Sequence, residues 1–470
     1  MKKFYITAAI PYVNATGHIG HCLEFVQADT IARYRKLLGD DVLLLSGGDE
    51  NALKNVQAAE KAGVPIQEFV DKNSQLFYEL TKKLNTQFDV WQKGRDKEHH
   101  FVSSQELWRK CEKDIYKKAY KGLYCVGCEA FYEVEELNEK GECFEHPGKK
   151  LDKVEEENYF FKLSKYQDKI LELIKSGELE IVPEERKNEV LSFVKSGLKD
   201  ISISRSNERA RNWGVPVPGD DNSKIYVWMD ALNIYQSGVG FGWDEEKYNK
   251  WWPADLHVIG KGIIRFHAVY WPAFLLSAGL KLPKKIFVHG YYTVDGQKMS
   301  KTLGNVYDPI PLLEKYGADP LRYYCLAKTP PFTDGDFSEE KFIEAYNSDL
   351  ANGLGNLVAR VAKLCERAKI QGSRFKIQFQ ENKFLNEFRF DEAIRLIWER
   401  ISEVDKQIEK DQPWKLEGEK LNDVLKGYVE GIRKIATELR PFLPETAEKI
   451  LKQFSGPKIK SEAPLFPRIK

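Results

Sequence analysis

Two histidines, His18 and His21, stand three residues apart in the loop 11–21, between a strand-like run at 4–9 and a helical pattern that starts near Gly20. A strand's carboxyl end and a helix amino terminus meet there, where partial positive charge favours an anion. Two imidazoles on one face can donate hydrogen bonds to phosphate oxygens, and Gly17 and Gly20 allow close backbone approach. Alone, such a pair is more often two capping or surface histidines. A second loop, 295–305, carries Lys298 and Lys301 after a β-like run at 286–294. It could close on a triphosphate and neutralise charge developing at the α-phosphate and the leaving pyrophosphate. By itself a lysine-rich loop is usually just solvent-facing. A third group is Cys125-Val-Gly-Cys128 followed, after fourteen residues, by Cys143-Phe-Glu-His146. Two short chelating pairs can supply four ligands for tetrahedral Zn2+, in a closed and therefore structural site, with free thiols the less favoured reading. Finally, Asn356 and Arg360 share a face of a predicted helix, and Trp414 follows Pro413 in a predicted interhelical turn. An aromatic beside an amide and a guanidinium is the set that reads unstacked RNA bases, although helix capping and core packing use the same residues.

The elements that must position these groups are legible in outline. A strand at 4–9, a helix with apolar residues at Leu23, Val26, Ile31, Tyr34 and Leu38, and a buried strand at 41–45 fall within fifty residues. That order predicts a parallel α/β sheet. Runs at 224–228, 256–259 and 286–288 read as further strands, with a helix over 263–280. Between the halves lies a stretch of different character, roughly 114–222, and beyond about 346 long amphipathic runs such as 350–368 and 390–408 predict helices.

His18-Ile-Gly-His21 and Lys298-Met-Ser-Lys301-Thr302 together resemble the two signature motifs of class I aminoacyl-tRNA synthetases. The segments 9–14, 226–231, 265–273, 289–296 and 304–306 resemble the methionyl family in particular, over nearly the whole chain. The resemblance implies a Rossmann-like, doubly wound parallel sheet split by a zinc-binding insert and followed by an all-α helical bundle. The boundaries expected are 1–113 and 223–297 for the two catalytic halves and 114–222 for the insert. The lysine loop with a stem-contact segment takes 298–345, and an anticodon-binding domain 346–470. It implies an ATP site at Tyr12, Asn14, His18, Gly20, His21, Lys298, Ser300 and Lys301, with Mg2+ accompanying the nucleotide. His18, His21, Lys298 and Lys301 would be the catalytic residues. It implies a methionine pocket of Ala9, Ile10, Tyr12, Asp49, Trp228, Ala231, Tyr235, Ile263 and His267. Asn356, Arg360 and Trp414 take the places of residues that read a CAU anticodon, so the implied partner is tRNA(Met). The zinc pattern also agrees with the family. This chain has Gly47-Gly-Asp-Glu-Asn51 where the family usually has Gly-Thr-Asp-Glu-His, Gly262 where it has aspartate, and Leu232 where proline is common.

Composition sets the outer limits. A chain of 470 residues exceeds the usual single core, so several domains are expected. Its 42% hydrophobic and 30% charged content suits an ordinary globular protein. No run approaches the ~20 apolar residues of a membrane helix, and no signal-peptide core opens the chain, so the expected location is cytoplasmic. Net charge is only +1, but residues 351–470 hold 24 Lys+Arg against 18 Asp+Glu. Such a surface could meet a phosphate backbone, although on charge alone a solvated helical face is the favoured reading. With no appended dimerisation module in view, a monomer is expected. The remaining cysteines, Cys22, Cys111, Cys325 and Cys365, are scattered and read as buried thiols.

Overall fold

The computed structural model describes residues 2–469 apart from 126, 128–129, 133, 144–147, 300–303 and 373–376, and only the backbone at 120–121, 130–131, 135 and 298. Its centre is a six-stranded sheet built from β1 (Lys3–Ala8), β2 (Asp41–Gly48), β3 (Val90–Lys93), β4 (Glu180–Val182), β5 (Leu256–Gly260) and β6 (Lys285–His289). The strand order is β3-β2-β1-β5-β6-β4, and every pairing is parallel. Period-two alternation decides what each face buries. Ile6, Ala8, Val42, Leu44, Val258 and Phe287 enter one core, while Tyr5, Leu43, Leu45, Ile259, Ile286 and Val288 enter the other. Both faces are covered, as an all-parallel sheet requires.

Helices α1 (Ile19–Leu37) and α2 (Ile66–Lys83) follow β1 and β2, and α3 (Val227–Ser237) precedes β5. The run at 224–228, read from sequence as a strand, divides: Asp220–Ile225 is a strand, but Val227 and Trp228 begin α3. Its β-branched and aromatic content suggested a strand, whereas the chain turns at Tyr226, whose N–H donates to Ile203 O at 2.8 Å. That strand also lies outside the central sheet, in an antiparallel trio with Pro216–Val217 and Ser204–Ser206. The segment read as an insert forms a second antiparallel sheet of Ala130–Tyr132, Ile115–Cys125, Asp152–Phe161 and Ile201–Ser202. It also contributes β4 to the edge of the central sheet.

Helices α4 (Ala318–Ala327), α5 (Asn356–Arg367), α6 (Phe390–Asp411), α7 (Gly418–Leu439) and α8 (Pro444–Ser455) make up most of the rest. Their apolar stripes continue the core on one face of the sheet without a break. Among the described residues, no helix is long and apolar enough to cross a membrane. Cys22, Cys111, Cys325 and Cys365 are all buried, as expected of structural thiols.

Candidate active site

Strand order reverses between β1 and β5, so their carboxyl ends diverge and leave a crevice, the usual ligand position in a doubly wound sheet. A cleft of about 410 Å³ opens there, lined from one side by the chain after β1 and from the other by Gly260, Ile263 and the residues after β6. Of the residues expected to bind ligand, Ala9, Ile10, Tyr12, Asn14, His18, Gly20, His21, Trp228 and Ile263 all face this cleft. Asp49, Ala231, Tyr235 and His267 are buried behind that wall.

The two histidines are held by the backbone they cap. His18 is the N-cap of α1, and its Nδ1 accepts from Gly20 N–H at 3.1 Å. His21 Nδ1 accepts from His18 N–H, also at 3.1 Å. With each Nδ1 engaged as an acceptor, a neutral ring carries its proton on Nε2, so each imidazole presents a donor. The rings lie 3.9 Å apart, and His21 meets Phe77 of α2 edge-on at 4.9 Å. The capping alternative and the phosphate-donor reading are therefore compatible: Nδ1 caps, Nε2 is the donor. Gly17 serves packing rather than ligand approach, since a methyl there would lie 2.5 Å from Leu80 Cδ2. At Gly20 the same methyl would press on the His18 ring at 3.0 Å.

On the other side, Trp228 stacks face to face on Phe266 at 3.7 Å and meets Tyr12 edge-on at 6.4 Å. Phe266 and His267 sit in a widened, π-helical segment, Phe266–Tyr270, that interrupts the helix expected over 263–280. His267 is fully surrounded: Nδ1–H donates to Ile263 O at 2.9 Å, and Nε2 accepts from the Tyr235 hydroxyl at 2.8 Å. Burial lowers its pKa to about 4, so the ring is neutral at pH 7. His257, 6.1 Å away, is also pushed well below its ordinary value by burial. Asp49 follows β2 and bridges to Tyr12, with its backbone N–H on Pro11 O at 2.9 Å, and the residue is 4% exposed.

A stability prediction arises here. The unfolded chain protonates His267 near pH 6.5, while the folded chain does so only near 4. Between these values the unfolded state binds the extra proton. Stability is therefore full above pH 6.5 and is lost as pH falls towards 4, by on the order of 3 kcal/mol for this ring. Urea midpoints measured from pH 7 to 4 should show the decline, and His267→Gln should flatten part of it, with His257 supplying the remainder.

Sequence reasoning missed several neighbours of the cleft. Glu24, one turn beyond His21, lies 3.0 Å from His289 Nε2. Lys54 Nζ sits 3.9 Å from the centre of the Tyr12 ring. Glu24 carried a readable signal, its position one helical turn past a suspected ligand. Phe266 carried none, because π-helical spacing breaks the 3.6-residue period. At the variant position 51, the Asn51 amide donates to Asp230 Oδ2 and to Gly94 O, both at 2.7 Å, and Asp230 Oδ1 takes His100 and Ser104. The buried carboxylate is thereby satisfied without a histidine at 51.

Lys298 ends the short strand Gln297–Lys298, but its side chain, Ser300 and Lys301 lie outside the described residues. So do Cys128 and His146. Cys125 and Cys143, the other two expected zinc ligands, are 3% and 1% exposed and share one small cluster with Tyr132. Among the described residues no group of three or more His, Cys, Asp or Glu side chains is placed to hold a metal. In the helical region, Asn356 is exposed and Arg360 half-buried, one turn apart on α5. Arg360 pairs with Glu409 and lies 5.7 Å from the ring centre of Trp414, which is 49% exposed between α6 and α7.

The comparisons agree with this geometry. The family model described as "tRNA synthetases class I (M)" matches residues 4–362. The methionine–tRNA ligase of Thermotoga maritima is 43% identical over 96% of this chain and 75% of its own length. That of Brucella melitensis is 41% identical, over 97% and 92%. A structure of Mycobacterium tuberculosis methionyl-tRNA synthetase in complex with methionyl-adenylate superposes with a TM-score of 0.92 at 38% identity, covering all of both chains. The free-state structure of the Mycobacterium tuberculosis enzyme gives 0.83 at 34% identity, over 100% of this chain and 99% of that one. On this evidence the chain belongs to the class I methionyl-tRNA synthetase family.

Proposed function

We propose that this chain activates L-methionine with ATP and transfers the methionyl group to the 3′ end of tRNA(Met), releasing AMP and pyrophosphate. The observation that carries the reading is the cleft at the β1–β5 switch point. It joins a donor-bearing helix terminus to an aromatic wall, in a chain that superposes on a relative solved with methionyl-adenylate.

A carboxylate oxygen of methionine attacks the ATP α-phosphorus; the new P–O bond forms as the bond to pyrophosphate breaks. The nucleophile is already anionic, so no side chain need remove a proton. His18 and His21 offer Nε2–H donors to charge accumulating on the phosphoryl oxygens, with Lys298 and Lys301 closing from the second loop. Asp49 pairs with the substrate ammonium. Tyr12, Trp228 and Ile263 face the thioether, a soft group that packs well on aromatic rings. The neutral His267 and the Tyr235 hydroxyl support that wall, with Ala9, Ile10 and Ala231 closing the pocket. In the second step a terminal ribose hydroxyl of tRNA displaces AMP from the adenylate.

Mg2+ enters with ATP. Zn2+ would be held by Cys125, Cys128, Cys143 and His146, and the buried, apolar setting of the two described thiols suits a structural ion. Elemental analysis that found no zinc in purified protein would remove this assignment. Asn356, Arg360 and Trp414 would read the CAU anticodon. Base stacking is worth about 1–3 kcal/mol, so Trp414→Ala should lower the kcat/KM of aminoacylation about tenfold to a hundredfold. Pyrophosphate exchange, which needs no tRNA, should be unchanged. Amino-acid-dependent ATP–pyrophosphate exchange across all twenty amino acids tests the whole reading. A signal with methionine alone is expected, and a signal with a different amino acid would overturn the substrate assignment.

A further inference from the structure

The turn after β5 joins the two halves of the cleft. Gly260 ends the strand, and Ile263 and Tyr291, the latter two residues past β6, both line the cleft, Ile263 in the wall proposed for methionine. Gly262 brings no side chain, yet its N–H donates to the Tyr291 hydroxyl at 2.6 Å. The ring packs so closely on the turn that a methyl at Gly260 would lie 2.8 Å from Tyr291 Cε1. Tyr291 is itself pinned. Its backbone N–H donates to Asp334 Oδ1 at 2.9 Å, and Asp334 Oδ2 takes Lys261 Nζ at 2.8 Å. From the far side of the turn, Ile263 O accepts from His267, which in turn accepts from Tyr235. Hydrogen bonds therefore link Asp334, Tyr291, the turn, His267 and Tyr235 in series beside the cleft.

We propose that Tyr291 is a positioning residue for methionine, acting through the Gly262 amide. The proposal rests on the reading of the cleft given above. A glycine has more backbone freedom than any other residue and cannot hold this turn by its own side chain. Between the Lys261–Asp334 and His267–Ile263 bonds, the Tyr291 hydroxyl holds the turn at Gly262 itself and so helps to set where Ile263 stands. Removing it frees the methionine wall while the ring still fills its place against Gly260.

Tyr291→Phe deletes one oxygen and is the direct test. One neutral hydrogen bond is worth about 0.5–1.5 kcal/mol, so the KM for methionine should rise about threefold to tenfold. The KM for ATP, kcat and the melting midpoint should stay near wild type. Methionine titration followed by tryptophan fluorescence, with Trp228 in the cleft wall, should show the same shift in Kd. An unchanged KM for both substrates would make the hydroxyl merely structural and overturn the proposal. So would a rise in the KM for ATP alone, which would make it a nucleotide contact. Wild-type protein with no response to methionine in either assay would overturn the underlying reading, and this proposal with it.

Discussion

His21→Ala is expected to slow methionine-dependent pyrophosphate exchange about 10²–10³-fold while leaving tRNA affinity intact. Removing one preorganised donor from charge that develops in a transition state typically has that effect. His21 is preorganised: Nδ1 is held by His18 N–H, and the ring is wedged between His18 and Phe77. It therefore needs no reorganisation when charge appears. The loss should fall on kcat rather than on the KM for methionine, because the ring is proposed to meet the phosphates and not the amino acid. His21→Gln, whose side-chain amide keeps a donor, should recover part of the rate. Exchange at the wild-type rate in His21→Ala protein would remove the residue from the mechanism.

The second large effect is on stability. Asp29→Ala should cost about 3–5 kcal/mol, because it leaves a buried guanidinium without its counter-ion. Asp29 and Arg322 are both fully buried and are joined at 2.7 Å. Asp29 Oδ2 also takes Arg33 at 2.7 Å, and Oδ1 takes Gln87 N–H at 2.8 Å. Arg322, from α4, donates further to Phe442 O at 2.8 Å and Pro441 O at 3.1 Å, in the turn between α7 and α8. One carboxylate thus ties the helix capped by His18 to the carboxyl-terminal helices. Denaturant titration should show an earlier midpoint, and limited proteolysis should cut more readily between the sheet and those helices. A wild-type midpoint would mean that water or a shifted arginine compensates.

Much of this was readable before any fold was known. Strands β1, β2, β5 and β6 lie close to where apolar runs predicted them, because a parallel sheet buried on both faces leaves its strands little choice of residue. His18 and His21 could be assigned to a helix terminus because capping is local, set by residues within one turn. What sequence order could not supply is which distant segments meet. Trp228 read as part of a strand, since aromatic and β-branched residues favour strands when only neighbours are counted. Its place at the start of α3 is decided by Tyr226 bonding to Ile203 and by stacking on Phe266, 38 positions along the chain. The joining of Tyr291 to Gly262, of Asp29 to Arg322 and of Asn51 to Asp230 is likewise invisible in one dimension. The sequence by itself determined the strands, the caps and the chemical groups available, because those follow from short-range sterics and periodicity. Only the tertiary structure decided which groups face the cleft and which stand behind it, because burial and hydrogen-bond partners are set by contacts between residues far apart in the chain.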